Sequence, residues 1–414
     1  MKKILTSLLL ISLSFAAFSQ ADFYYVTGKV IDKNTGAPLA AASVFAQNTT
    51  FGTVTDSIGN FRLKLPNGGY DLAVTYTGFE TDSRRITTAD AGNKNVVVEL
   101  KEKQKEMEEV AVVSGPPTVK DGWEKYGQFF LDNFIGTTKF GHDCVLENHE
   151  ALKFYFSKKR NRLKVVATEP LIIDNNALGY KIKYVLDSFV NEYNTQVSLY
   201  SGSPLYTEMR PVNDIQEIRW HNNRLHAYNG SMLHFMKSFY SKTLKENGFE
   251  VQYLLKNNGV DSAIRIKDYY TSLSYDKDDS SQIVEITPNQ PDIIVLYTKD
   301  KPSDDYLKQS GDTHTQDQLS IITIAPQKSI DIERNGYYYD QNDITISGYW
   351  TWKKAGDAHT QDQLSIITIA PQKSIDIEQN GYYYDQNDIT ISGYWTWKKA
   401  GDALPYDFNP AQPL

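Results

Sequence analysis

Tyr25-Val26-Thr27-Gly28-Lys29-Val30-Ile31-Asp32 alternates its side chains with a period of two, and Asn34-Thr35-Gly36-Ala37-Pro38-Leu39 ends the alternation. A period of two sends successive side chains to opposite faces of a strand. Gly36 can adopt a positive φ and Pro38 cannot donate to a ladder, so the chain turns there. The pattern recurs downstream. Ala42–Ala46 and Gly52–Thr55 read as strands, and Asp56-Ser57-Ile58-Gly59-Asn60 as a tight turn capped by the Asp56 side chain. Phe61–Leu65 and Tyr70–Thr77 follow, separated by Pro66-Asn67-Gly68-Gly69, and Asn95–Leu100 closes the unit. Short strands punctuated in this way predict a β-sandwich of the seven-stranded type over residues 20–101.

The ends and the composition bound the rest. Lys2 and Lys3 precede an apolar stretch, Ile4–Phe18, and the small residues Ala17 and Ser19 stand at −3 and −1 before Gln20. Residues 1–19 therefore read as a secretory signal peptide, too short for a stable membrane span. The expectation is an exported protein, periplasmic or outer-membrane-associated, with no transmembrane segment in the mature chain. The 414 residues carry 51 acidic against 43 basic side chains, and loss of the signal removes only lysines. An acidic chain without a basic run argues against nucleic acid and anionic lipid as partners. Cys144 is the sole cysteine, so no intrachain disulfide can form, and 28 tyrosines favour strands over helices.

The glycines and turns of the first domain form the pattern G-x-V-x-D…T-G-x-P-L…A-x-V…G-T-x-T-D-x-x-G-x-F. It is carried by Gly28, Val30, Asp32, Gly36, Pro38, Leu39, Ala42, Val44, Gly52, Thr53, Thr55, Asp56, Gly59 and Phe61. This pattern resembles the carboxypeptidase-regulatory-like domain, a transthyretin-like sandwich. The resemblance covers about a fifth of the chain. It implies a fold and not a chemistry, since such modules are non-catalytic attachments of exported proteins. A zinc carboxypeptidase needs an H-x-x-E pair and a distant third histidine. None of the seven histidines has a glutamate three residues on, and His314 and His359 begin H-x-x-D only as copies of one repeat. No metal site, no cofactor and no catalytic residue set is expected.

Residues 102–118 read as a linker and a connecting strand: the charge run Lys101–Glu109, then Val110–Val113. The ending E-V-x-V-x-S-G resembles the stretch that joins this same domain to the plug of TonB-dependent outer-membrane transporters. About 300 residues follow it without a series of barrel strands, so the transporter reading fails. Residues 119–310 read as a larger antiparallel β-rich domain with two helices, near 121–134 and 220–247. Trp123, Tyr126, Phe130 and Phe134 recur at helical spacing in the first, and Gly230 marks a break in the second. Glu169-Pro170-Leu171, Leu178-Gly179-Tyr180 and Ala227–Ser231 resemble the body of a group of exported Bacteroidetes proteins that follow the regulatory-like domain, with no activity to transfer. His221, His226 and His234 do not pair at i, i+4, and His142, Cys144 and His149 form at most a weak nucleophile set.

Residues 311–400 are a tandem repeat: Gly311–Ala355 recurs as Gly356–Ala400 with only Thr313/Ala358 and Arg334/Gln379 differing. So little drift speaks for a recent duplication or an assembly artefact rather than a solenoid. Two copies so alike should compete for one place in the fold, one of them left as an appendage or paired with another molecule. A tail, residues 401–414, ends the chain. Trp350 and Trp352, with Trp395 and Trp397 in the second copy, lie two apart on expected strands and so share a face. Such a face either stacks sugar rings or covers the core. The leading expectation is a non-enzymatic interaction or structural protein whose partner is an envelope protein or polysaccharide. A glycan-binding accessory protein using the four tryptophans is the alternative, and a hydrolase the least supported reading.

Overall fold

The computed structural model describes residues 23–88, 96–103, 118–194, 197–257, 260–278, 283–311, 316–324, 329–335, 338–339, 352–353 and 389–412. The signal peptide, most of the linker with Val110–Val113, Gly336 of the expected Asn335-Gly336 turn, His314, His359 and Trp350 lie outside the described residues. The protein is mainly β.

Seven strands build the first unit: β1 (Phe23–Asp32), β2 (Ser43–Ala46), β3 (Gly52–Val54), β4 (Asn60–Pro66), β5 (Tyr70–Thr75), β6 (Asp82–Ile86) and β7 (Val96–Leu100). They form two sheets, β4-β1-β7 and β3-β2-β5-β6. The alternation read in β1 becomes burial. Tyr24, Val26 and Val30 point inward with Leu63 and Leu65 of β4, and meet Val44, Leu72 and Val74 of the second sheet. Asp56 closes its turn as expected, its Oδ1 accepting from the backbone of Ile58 at 3.0 Å and of Asn60 at 2.8 Å. Gly28 is needed because a Cβ there would strike the Val96 carbonyl and the Phe61 ring.

The body begins with α1 (Gly122–Phe134) and the short α2 (Lys139–His142). An antiparallel sheet follows, with β8 (Cys144–Leu146), β9 (Leu152–Ser157), β10 (Arg162–Ala167), β11 (Leu171–Asn175), β12 (Tyr180–Glu192) and β13 (Val197–Glu208). The apolar stripe of α1 packs on it: the Phe130 ring lies 5.2 Å from Phe189, and Phe134 lies 4.9 Å from Tyr184. The helix expected near 220–247 is two helices, α3 (Asp214–Tyr228) and α4 (Met232–Tyr240). Asn213 starts α3 early, its side chain accepting from the Gln216 amide at 2.9 Å. Gly230, at φ 70°, breaks the run, and Ser231 caps α4. The early turn escaped the periodicity because Ile215 and Ile218 face solvent.

A third sheet has the order β15-β14-β18-β19-β23, and a fourth the order β16-β17-β20-β21. Their strands are β14 (Phe249–Asn257), β15 (Val260–Arg265), β16 (Asp276–Asp278), β17 (Ile283–Ile286), β18 (Asp292–Tyr297), β19 (Gln318–Ile324), β20 (Ile330–Ile332), β21 (Tyr338–Tyr339) and β23 (Ile389–Gly393). β22 (Trp352–Lys353) adds to the edge of β13. The short helices α5 (Tyr269–Ser272), α6 (Asp304–Ser310) and α7 (Tyr394–Trp397) complete the set.

The repeat copies divide one place between them. β19, β20 and β21 come from the first copy, whereas β23 and α7 come from the second. They join where Ser320–Ile324 pairs antiparallel with Ile389–Gly393. The described parts of both copies thus contribute to one unit, and the rest of the repeat lies outside the described residues.

The sandwich is fixed to this body. Backbone bonds run from Asn48 N–H to the Pro204 carbonyl at 2.8 Å and from Tyr406 N–H to the Asn48 carbonyl at 2.7 Å. Asp407 accepts from the Thr50 amide at 2.9 Å and from its hydroxyl. Glu333 of the first copy, with its side chain 2% exposed, pairs with Arg85 and accepts from the Gly69 amide at 3.1 Å.

Candidate functional site

β12 and β13 turn Tyr184, Tyr200 and Tyr206 toward one side of their sheet, where the C-terminal turn after α7 crosses. Between them lies a cavity of about 110 Å³, closed by Asn48 of the sandwich, Met232 and Leu233 of α4, Trp395, Leu404 and Tyr406. Lys398, Lys399 and Asp402 bring charge to this otherwise apolar space.

The turn is held by several bonds. Gly401 donates to the Ile135 carbonyl at 2.8 Å, and its own carbonyl accepts from Asn175 Nδ2 at 2.9 Å. Glycine is required here because a Cβ would collide with the Gly141 backbone. Asp402 accepts from Thr138 Oγ1 at 2.8 Å, while that hydroxyl also caps α2 at the Gly141 amide. Lys398 Nζ donates to the Ala227 carbonyl at 3.4 Å.

Burial sets the protonation of these groups. It pushes Asp402 up to about 6, with Lys398 and the Thr138 hydroxyl pulling the other way. It pulls Lys399 down to about 7 and also lowers Lys398, which Asp402 partly restores. The Tyr184 and Tyr200 hydroxyls are pushed well up, so they stay protonated donors. A lysine titrating near neutrality, a carboxyl and three phenols can hold water or a small polar group. They also clamp the C-terminal turn against Thr138 and the core.

Trp395 and Trp397, singled out from the sequence, do not lie on a strand face. Gly393, at φ 84°, ends β23, and the Thr396 hydroxyl donates back to its carbonyl at 2.7 Å, so the next residues wind into α7. Trp395 and Trp397 thus diverge. Trp395 is 3% exposed, 5.4 Å from the Phe235 ring, with Nε1 donating to the Gly230 carbonyl at 2.6 Å. Trp397 is 6% exposed and packs on Tyr306. The strand-borne placement is corrected for both, and neither ring offers a face to a sugar. Trp352 has only its backbone described, on β22, and Trp350 falls outside the described residues.

His234 serves packing. It is buried among Tyr228, Phe249 and Tyr297, and its Nδ1 accepts from the Gly230 amide at 3.2 Å. Burial, then the Lys299, Lys398 and Lys237 charges, push it down to about 4. Cys144 donates to the Phe140 carbonyl at 3.3 Å, and burial pushes its thiol up to about 12, where no thiolate forms at neutral pH. Among the described residues, no group of three or more His, Cys, Asp or Glu side chains is disposed to hold a metal ion. No described helix is long and apolar enough to cross a membrane. Sequence reasoning missed Lys398, Lys399 and Asp402. Their one signal was K-K-A-G-D-A, polar residues directly after an aromatic run and present twice.

Residues 26–112 match the CarboxypepD_reg-like domain family, so the N-terminal sandwich is a domain of that type. Over 119 residues, 29% of its length, the chain is 29% identical to TonB-dependent receptor P3 of Formosa agariphila. It spans 11% of that receptor. Among solved structures, a putative membrane-associated protein from Bacteroides fragilis shares 13% identity, with 80% of this chain and 95% of that one covered, at a TM-score of 0.16. A 9R-lipoxygenase from Cyanothece shares 10% identity, covering 54% and 49%, at a TM-score of 0.15. Scores this low carry no argument about fold or function.

Proposed function

We propose that the protein is an exported, envelope-associated interaction module without catalytic activity. Its CarboxypepD_reg-like sandwich is held at a fixed angle on the larger β-rich body, so that the two present one surface to an envelope protein. The carrying observation is the union itself. Asn48, Thr50 and Arg85 of the sandwich bond to Pro204, Tyr406, Asp407 and Glu333 of the body, and two of these links use buried or half-buried charge. A module tethered only by its linker needs none of them. The named receptor, similar over a stretch of 119 residues, supports the envelope setting.

The test is an affinity pull-down of tagged residues 20–414 from envelope extract, separated into protein and polysaccharide fractions. A discrete envelope protein captured by the wild type, and lost when Thr50 and Arg85 are both changed to Ala, supports the reading. A polysaccharide captured without any protein, or turnover of a peptide or glycan substrate, overturns it.

A further inference from the structure

The cavity of about 110 Å³ lies where the sandwich meets the body, between β12, β13, α4 and the turn after α7. Junctions between domains are favoured places for small ligands. Most of the wall is apolar, with Ile182, Met232, Leu233, Trp395 and Leu404 supplying hydrocarbon and ring surface. Water in such a space finds few partners along that part of the wall, and an empty cavity forfeits packing contacts. A guest with a hydrocarbon portion removes both costs.

The polar part of the wall has a sign. Lys398 and Lys399 stand against one carboxylate, Asp402, among the described residues that line the cavity. Asp402 is already engaged, since it accepts from Thr138 Oγ1 at 2.8 Å and its charge acts on Lys398. The Tyr184, Tyr200 and Tyr206 hydroxyls are pushed up by burial, stay protonated and add donors. The polar wall is thus rich in cations and donors and poor in acceptors. Lys399 is buried, and its stem runs along Gly136, where a Cβ would come within 3.2 Å of it. Holding an ammonium there is unfavourable, which is why burial pulls Lys399 down to about 7, and an anion beside it would offset that penalty.

We propose that this cavity binds a small amphiphilic carboxylic acid, its carboxylate held by Lys399 and the tyrosine hydroxyls and its hydrocarbon chain against Met232, Leu233 and Trp395. A cavity of roughly 150 Å³ accommodates benzene, so the space here suits an acid of about four to six carbons. Such a guest touches Asn48 of the sandwich as well as α4 of the body, and so fastens one to the other. The site stands whatever the identity of an envelope partner.

The test is isothermal titration calorimetry of residues 20–414 with straight-chain acids from acetate to decanoate, and with the alcohol of each length as the uncharged control. Affinity should rise about fourfold per methylene, pass through a maximum at about four to six carbons and then fall. Each acid that fits should bind about tenfold or more tightly than its alcohol. Lys399→Met keeps the bulk of the stem and should erase the preference for the acid while the chain-length maximum remains. Leu233→Phe, which fills the space from α4, should abolish binding of acid and alcohol alike. The unaltered protein decides the matter even where a variant does not fold. No saturable binding of any acid at millimolar concentration, an affinity that climbs through decanoate without a maximum, or equal affinity for acid and alcohol overturns the site. A preference for the acid that survives in folded Lys399→Met overturns the role of that lysine.

Discussion

Deleting residues 340–384 joins Tyr339 to Asp385 and leaves one unbroken repeat unit, because residue identities recur at a spacing of 45. β19, β20, β21, β23 and α7 all remain. The connection from Tyr339 to Ile389 falls from 49 residues to four. Counted only as chain length, that change lowers the closure cost by (3/2)RT ln(49/4), about 2 kcal/mol. The loss of β22, which pairs only with Val197 and Ser198, offsets about 1 kcal/mol. The net gain is about 1 kcal/mol. Unfolding entropy of about 2.1 cal/mol/K per residue gives the shortened chain about 0.8 kcal/mol/K, so its melting temperature should rise by about 1–2 °C. Scanning fluorimetry and far-ultraviolet circular dichroism of the two proteins would measure this. A fall of about 5 °C or more, or a deletion protein that does not fold, would refute the reasoning, since it would mean that the surplus copy holds something the described fold lacks.

The shortened chain, free of twins, is the background for the other expectations. Glu333→Gln there should cost roughly 2 kcal/mol, moderated because Arg85 is partly solvated and keeps Asp71, and should speed proteolysis between sandwich and body. In the intact chain the same change should cost less if Glu378 takes over, which urea denaturation of both proteins would read. Lys399 titrates at about 7 when folded and near its ordinary value when unfolded, so it adds stability as pH rises from 7 toward 10. Lys399→Met should remove that rise. Asp402 works in the opposite sense: its raised pKa, about 6, favours the fold below the unfolded value and loses that contribution as pH climbs through 6, so Asp402→Asn should be least costly at neutral pH. Gly230→Ala should cost about 2–4 kcal/mol, since it combines a φ of 70° with a Cβ pressed on the Tyr297 ring, and a loss under 1 kcal/mol would show that the break can relax.

The sandwich was legible because each of its signals is local. Alternation in Tyr25–Asp32 sets the buried face, and Gly36, Pro38 and Asp56 set the turns within a few residues of themselves. The first helix was legible for the same reason, its aromatic stripe repeating every three or four residues. What stayed hidden depends on partners distant in sequence. Asp402 matters because Thr138 meets it, and Lys399 because the β12–β13 tyrosines and Gly136 enclose it. Neither neighbour leaves a trace near residue 400. The tryptophan face failed on one dihedral: Gly393, at φ 84°, turns an apparent strand into α7, and the sequence Ser-Gly-Tyr-Trp permits either. The division of the repeat could not be read at all, because identical copies carry no information about which one is seated.

The regulatory-type sandwich and the body are joined through Asn48, Thr50 and Arg85 into one folded unit. Differential scanning calorimetry of residues 20–414 tests it most directly. One endotherm is expected, with calorimetric and van't Hoff enthalpies in agreement, and it should split in the Thr50→Ala/Arg85→Ala variant. Two separate endotherms in the unaltered protein, one of them matching the isolated sandwich, would contradict the account.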